Sequence, residues 1–118
     1  MNGFPPNVDL GFISGRQLIQ VCVGLHDLIL NFDENVRLLV TSCISVSDAQ
    51  GPDKRFEDFR DAVGEVARAL GEKVRSAEAE DDRTLRIEFE NGVWMRVFDD
   101  SDQFESFVIH GPSGEIIV

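Results

Sequence analysis

The chain has 118 residues, of which 42% are hydrophobic, enough for one domain with a two-layer core. It carries 22 acidic and 11 basic residues, a formal net charge of −11 at pH 7. A surface this acidic repels phosphate backbones and anionic lipid headgroups, which argues against nucleic acid and membranes as partners. The apolar stretches are short, and the start MNGFPPNVDLGF lacks the basic and apolar regions of a signal peptide. We therefore expect one cytoplasmic domain over residues 1–118.

The two cysteines, Cys22 and Cys43, lie in predicted strands among apolar neighbours. Free cysteine behaves as a small hydrophobic residue in such places, and a cytoplasmic protein keeps its thiols reduced. We expect two free thiols in or near the core. A disulfide would require the two strands to be neighbours in register.

The first part of the chain predicts three strands in a meander. In GRQLIQVCVGL, apolar residues alternate with Gln20 and Cys22, and the next run places Leu28, Leu30 and Phe32 on one face. After the turn DEN, a third run aligns Val36, Leu38, Val40, Ser42, Ile44 and Val46 on one face.

A helix follows. From Phe56 to Leu70 the apolar residues recur at spacings of three and four, which is typical of an amphipathic helix. Pro52 and Asp53 suit its first turn or its cap, and Gly71 suits a left-handed terminator. We predict a helix over about residues 53–70.

Alternation of apolar residues then returns. A weak strand is predicted near Val74 to Ala79, and a hairpin turns at Asn91-Gly92. Further strands are predicted from Phe104 to His110 and from Glu115 to Val118. The order predicts an α+β fold, with mostly antiparallel sheet in two three-stranded halves and one amphipathic helix between them.

The chain also contains an internal similarity. LILNFDENVRLLV, residues 28–40, matches LRIEFENGVWMRV, residues 85–97, at six apolar positions 57 apart. The wider pseudo-repeat covers about residues 15–46 and 71–109. Duplication of a three-stranded unit and convergence of two half-buried hairpins both explain it.

The outward positions of the two hairpins differ. Ile29 and Leu39 in the first correspond to Arg86 and Arg96 in the second, with Trp94 close by. Because one helix cannot cover both hairpins equally, an apolar outer surface should remain for a partner or a second copy. Trp94 at the periphery of the core is the other interpretation.

Catalytic and metal-binding patterns are weak. His26 and His110 lie at predicted turns or strand edges, and Cys22 precedes His26 by a four-residue step that spans roughly 13 Å in a strand. The acidic clusters EAEDD and DDSD lack the spacing of a calcium loop. Nucleotide-binding, zinc-protease and hydrolase motifs are absent from the sequence. We therefore predict no enzyme, no cofactor and no dedicated metal site.

The C-terminal sequence ESFVIHGPSGEIIV, which follows VWMRVFDDSDQ, resembles the end of short uncharacterised bacterial proteins that finish in similar strands. The segment GLHDLILNF extends this resemblance. It implies membership of a family of unknown function and assigns no residue a role.

The charge distribution supports a binding role. After Arg96 every charged side chain other than His110 is acidic, and aromatic residues lie among these acids. Such a surface can attract a basic protein, so the leading hypothesis is a protein-binding module, with an immunity-type inhibitor of a basic toxin as its specific form. A self-associating domain is the alternative, and a small-ligand binder or enzyme comes third. The residues proposed to contact the basic partner are Trp94, Arg96, Asp99, Asp100, Asp102, Phe104 and Glu105.

Overall fold

The computed structural model describes residues 3–48, 51–100 and 106–118. The described strands are β1 (Leu18–Val23), β2 (Leu28–Phe32), β3 (Arg37–Val40), β4 (Cys43–Ser47), β5 (Lys54–Phe56), β6 (Val74–Asp81), β7 (Thr84–Phe89), β8 (Trp94–Phe98), β9 (Phe107–Gly111) and β10 (Gly114–Ile117). The described helices are a 3-10 helix, Gly11–Ile13, and the α-helix α1, Phe59–Ala67. None of them is long and apolar enough to cross a bilayer.

The strands form two antiparallel sheets of five strands each, so the fold is α+β as predicted. The first sheet has the order β1-β2-β3-β9-β10, and the second has the order β5-β4-β8-β7-β6. One face of each sheet supplies the same hydrophobic core, to which α1 adds Phe59, Ala62 and Val66. Alternation along each strand sends its apolar side chains into this core and leaves the other side chains on an outer face.

The expectation of two three-stranded halves is corrected by the exchange of two hairpins. The hairpin β4–β5 belongs to the first part of the chain but extends the second sheet, where β4 pairs with β8. The hairpin β9–β10 belongs to the last part but extends the first sheet, where β9 pairs with β3. A three-stranded sheet is narrow, and each exchanged hairpin widens one sheet and buries more apolar surface.

The exchange also divides the predicted third run of the first half. β3 ends at Val40 and β4 begins at Cys43, so the chain crosses between the sheets at Thr41 and Ser42. Val40 and Ile44 are both fully buried, on opposite sides of the crossing. Because the inner faces of both sheets meet one core, the apolar alternation continues through the crossing without a signal in the sequence.

The helix is shorter than the predicted range 53–70. Residues 54–56 form β5, which pairs with β4, and the helix begins after Asp58. The Asp58 carboxylate accepts a hydrogen bond of 2.9 Å from the backbone N–H of Arg60, as an N-cap residue does. Phe56 and Phe59 have helical spacing in the sequence, but only Phe59 lies in the helix.

The two meanders β1–β2–β3 and β6–β7–β8 have the same register. Leu28 pairs with Val40 in the first, and Leu85 pairs with Val97, both 57 positions later, in the second. Each outer strand carries an irregularity at the same place, after Leu18 and after Val74. The matching residues of the two meanders thus occupy equivalent positions in two sheets of equivalent strand order.

The starts of the meanders are linked to each other in a reciprocal way. The backbone N–H of Gly15 donates to the carbonyl of Val74 at 2.8 Å, and that of Gly71 donates to the carbonyl of Leu18 at 2.8 Å. Both glycines have positive φ, 83° and 86°. This pair of bonds ties the two halves together where their first strands begin.

Candidate protein-binding face

The outer face of the first sheet carries a row of apolar residues across all five strands. Register places Leu39 beside Ile29 on one side and beside Val108 on the other. The side chain of Ile117 at one edge is 40% exposed, and the inner members of the row are half-buried. The whole row, in strand order, is Cys22, Ile29, Leu39, Val108 and Ile117. We call this outer face of the first sheet the open face.

A second row on the open face is polar and lies two residues along each strand. The Arg37 Nε donates to the Asn31 Oδ1 at 3.0 Å, and the Asn31 Nδ2 donates to the Gln20 Oε1 at 2.9 Å. On the other side of Arg37, the His110 Nδ1 lies 3.9 Å from the Glu115 Oε2. The polar row therefore presents one cation, one histidine and one carboxylate in fixed order.

A broad concavity of about 690 Å³ lies over both rows. Its lining includes Leu39 and Val108 from the apolar row and Arg37, His110 and Glu115 from the polar row. Ile19, which lies at the irregularity of β1 and is 57% exposed, forms part of its edge. The open face is accordingly accessible, partly apolar and concave.

The outer face of the second sheet is covered by its own arginines. Two guanidinium groups contact the ring of Trp94, with the Arg86 Cζ at 4.6 Å and the Arg96 Cζ at 4.2 Å from its centroid. Arg96 donates to both carboxylate oxygens of Glu80, at 2.7 and 3.0 Å, and to Asp53 at 3.3 Å. Stacking and a bidentate ion pair hold this arginine in one orientation. We call this outer face of the second sheet the arginine face.

A cysteine cluster lies at the edge of the arginine face. The fully buried Cys43 donates its thiol hydrogen to Asp100 at 3.3 Å and accepts a hydrogen bond of 3.0 Å from the Arg55 Nη2. Arg55 stacks on Phe98 at 4.5 Å and also contacts Glu57 at 3.3 Å. Burial and the neighbouring Asp100 raise the pKa of the Cys43 thiol to about 12.

The same cluster has the donor atoms of a metal site, since Cys43, Glu57 and Asp100 offer ligand atoms within 4.8 Å of one another. A metal would have to displace the thiol proton, and burial beside Asp100, which raises the pKa of this thiol to about 12, opposes that displacement. The Arg55 guanidinium contacts all three groups and pairs with both carboxylates, Glu57 at 3.3 Å and Asp100 at 4.0 Å. The geometry favours a hydrogen-bonded ion cluster over a cation site.

The equivalent rows of the two sheets therefore differ in character. Ile29 and Leu39 on the open face correspond to Arg86 and Arg96 on the arginine face, 57 positions later. The first pair leaves apolar surface uncovered, and the second pair covers the ring of Trp94. Two sheets of the same register thus present an apolar surface on one side and an ionic surface on the other.

The structure describes four of the seven residues predicted to contact a basic partner, and three of these four lie on the arginine face or at its edge. Trp94 and Arg96 belong to the arginine face, and Asp100 belongs to the cysteine cluster. Asp99 is only 5% exposed and accepts a buried hydrogen bond of 2.8 Å from the Ser106 hydroxyl. The other three predicted residues, Asp102, Phe104 and Glu105, lie outside the described residues.

The candidate reactive groups are also separated. Cys22 and Cys43 are free thiols on different sheets. In the described part of the chain, no hydrogen bond or ion pair joins Cys22 to His26; the Cys22 sulfur is 3.9 Å from the Asn31 amide nitrogen instead.

The sequence indicates Ile29 and Leu39 as outward apolar residues, whereas Val108 and Ile117 are identified only by the structure. Both are apolar residues at outward positions of short strands, and this part of the pattern is present in the sequence. Their membership of the same row depends on the pairing of β3 with β9, which the sequence does not indicate.

Residues 11–118 match the model of a family of unknown function, DUF6188, and the chain belongs to that family. This agrees with the resemblance to uncharacterised proteins noted from the C-terminal strands. No curated protein and no solved structure matches the chain.

Proposed function

We propose that this member of a family of unknown function is a protein-binding module that uses the open face as its interface. One observation carries the proposal: two sheets of the same register have unlike outer rows, and only the first is apolar. Packing in the core explains why the inward positions of both meanders are apolar. It does not explain the apolar residues of the outward row on the first sheet.

The physical argument concerns the cost of leaving that row in water. Each apolar side chain gains roughly 25 cal/mol per Å² of accessible surface removed from water. The equivalent row of the second sheet avoids this exposure by using arginines, so the fold does not require apolar residues there. An apolar centre with polar groups beside it is the usual anatomy of a protein interface.

The proposal is tested by capture from an extract of the organism that encodes the chain. The wild-type protein, Leu39→Lys and Ser76→Lys serve as three baits. Leu39→Lys places a cation in the centre of the apolar row, whereas Ser76→Lys adds the same charge on the outer side of the second sheet, opposite Glu88. We expect a stoichiometric partner with the wild type and with Ser76→Lys, and its loss with Leu39→Lys.

Folding of each bait is checked by its far-ultraviolet circular dichroism spectrum and its thermal midpoint. A partner that binds the folded Leu39→Lys bait as well as the wild type would exclude the open face as the interface.

The charge of the chain favours a second candidate, the binding of a basic protein, with an immunity-type inhibitor of a basic toxin as its specific form. The net charge of −11 supports this candidate, since opposite charge accelerates association and aids selection of a partner. On the predicted surface, Asp100 has a side chain that is 42% exposed, while Trp94 is covered by guanidinium groups. Affinity for such a partner should fall steeply between about 50 and 500 mM salt; affinity independent of salt would count against it.

A further inference from the structure

We infer that the open face binds a second copy of the same chain, in a two-fold dimer with the two open faces packed against each other. This inference rests on the proposed function, because it names the occupant of the same surface. It is argued from the order of charges in the polar row and from the area of the face.

The arrangement of charges on the open face is self-complementary. Arg37 on β3 and Glu115 on β10 lie in one cross-strand row, separated by His110 on β9. The proposed two-fold axis runs parallel to the strands, between β3 and β9. It places β9 of the second copy opposite β3 of the first, and β10 of the second copy opposite β2. Each Arg37 then lies opposite His110 of the second copy and one strand spacing, about 4.8 Å, to the side of both its Glu115 and its Arg37, so two Arg37–Glu115 attractions outweigh one Arg37–Arg37 repulsion. Both copies gain the same ion pair.

The same axis also matches the apolar row. It places Leu39 of each copy over Val108 of the other, and Ile29 over Ile117. Sheets that pack face to face in this way lie about 10 Å apart, with their side chains in contact. The apolar side chains that are half-buried in one copy become covered in the pair.

The area predicts a weak and reversible dimer. Four overlapping strands at about 4.8 Å spacing, each about 17 Å long, give a contact of about 330 Å² in projection. Standard interfaces bury about 800 Å² of accessible surface on each partner. The uneven surface of the side chains makes the accessible area of this contact larger than its projection, but the area stays below that value. The acidic net charge of each copy opposes association as well. We therefore expect a dissociation constant in the range of about 10 to 100 μM, at the weak end for a specific contact.

Sedimentation equilibrium of the full chain, from about 5 to 500 μM, tests the inference across that range. The wild type should show a reversible monomer–dimer equilibrium that strengthens as salt screens the repulsion between like net charges. Ile117→Lys and Leu39→Lys should each weaken the dimer at least about tenfold, since each places a cation in the apolar contact. Ser76→Lys, on the second sheet, should leave it unchanged. Ile117 is already 40% exposed, so its substitution is the least harmful to folding.

A charge exchange tests the orientation. Arg37→Glu and Glu115→Arg should each weaken the dimer about tenfold, and the double variant should recover to within about threefold of the wild type. Arg75→Glu, a charge reversal on β6 whose side chain is 55% exposed, is the matched control for Arg37→Glu and should cause a smaller loss.

The outcomes separate the two proposals. A chain that stays monomeric at 500 μM, or a dimer insensitive to Ile117→Lys, overturns the inference. If the monomeric protein still captures a partner that Leu39→Lys loses, the open face remains a protein-binding face with a different occupant. A dimer that forms normally in the single charge variants overturns the proposed orientation.

Discussion

Leu39 and Arg96 occupy the same position in two sheets of equal register. Each lies on the third strand of its meander and points outward, Leu39 beside Ile29 and Arg96 beside Arg86. The leucine remains in contact with solvent, while the arginine stacks on an aromatic ring and pairs with carboxylates. The difference between them is the observation on which the proposal of the open face as a protein-binding surface rests.

Arg96→Lys tests how firmly the arginine face is held. Lysine keeps the charge but loses both the bidentate bond to Glu80 and the planar stacking on Trp94. We expect the free energy of unfolding to fall by about 1 kcal/mol, measured by urea titration with the fluorescence of Trp94. Arg75→Lys, whose exposed pair with Glu88 is 3.7 Å long, should change it by less than about 0.5 kcal/mol. Equal losses in the two variants would contradict the assigned role of Arg96.

Substitution of either of the paired glycines, Gly15 and Gly71, by alanine should lower the free energy of unfolding by the same amount. Both have positive φ and open space around the position of an added Cβ, so only the backbone conformation opposes alanine. Gly15→Ala and Gly71→Ala should each lower the free energy of unfolding by about 1 to 2 kcal/mol. Gly64→Ala in α1 should instead raise it by about 0.5 to 1 kcal/mol, since alanine favours a helix. Unequal losses at Gly15 and Gly71 would show that the two links differ.

The two thiols should differ in reactivity. At pH 8 an alkylating reagent should label the half-buried Cys22 in the native protein and leave Cys43 unlabelled, because Cys43 is buried and its pKa is about 12. Asp100→Asn should lower the pKa of Cys43, since it removes a negative charge beside the sulfur. Mass spectrometry of labelled peptides measures both effects, with Cys22→Ser as the control. Rapid labelling of Cys43 in the native protein at pH 8 would refute this assignment.

The raised pKa of the Cys43 thiol predicts a loss of stability in alkaline solution. The pKa of Cys43 rises from 9.0 in the unfolded chain to about 12 in the folded protein. Above pH 9 the unfolded chain therefore releases a proton that the folded protein keeps. The contribution to stability is complete below pH 9 and is lost as the pH rises through about 12. Urea titrations at pH 8 and pH 10.5 should show a smaller fall for Cys43→Ala than for the wild type.

Ser106→Ala tests the buried carboxylate of Asp99. The Ser106 hydroxyl donates a hydrogen bond of 2.8 Å to one oxygen of Asp99, and the other oxygen has no hydrogen-bond partner among the described residues. Removal of the hydroxyl should lower the free energy of unfolding by about 1 to 3 kcal/mol. Ser42→Ala is the control, since the Ser42 hydroxyl is buried without a hydrogen-bond partner in the described structure. A neutral effect of Ser106→Ala would indicate that Asp99 is stabilised by other groups.

The core positions could be predicted from the sequence, because alternation alone identifies which side of a strand is apolar. Alternation predicts Leu30 and Leu38 on one face of their strands, and both are buried, as are Ile87 and Met95, the matching residues 57 positions later. The sequence predicts too early a start for the helix, because Phe56 in β5 stands at helical spacing from Phe59. Pairing of β5 with β4 overrides that local pattern.

The open face could be predicted only in part. Alternation in their strands identifies Ile29 and Leu39 as outward and apolar. Val108 and Ile117 lie in the same row only because β9 pairs with β3. The sequences of the two strands do not indicate that they are neighbours. The charge pattern points instead to the acidic residues that follow Arg96, of which Asp99 is buried and hydrogen-bonded to Ser106.

The exchange of hairpins has a consequence for how the molecule folds. Val40 pairs with Phe107, 67 positions later, so β3 has no neighbour on that side until the last strands are present. A long loop between paired strands costs entropy before its contacts form, which slows folding and joins the two sheets in one transition. A chain truncated before β9 would leave both an unpaired strand edge and an open core. The two halves of this protein are therefore repeated in pattern but are mutually dependent for folding.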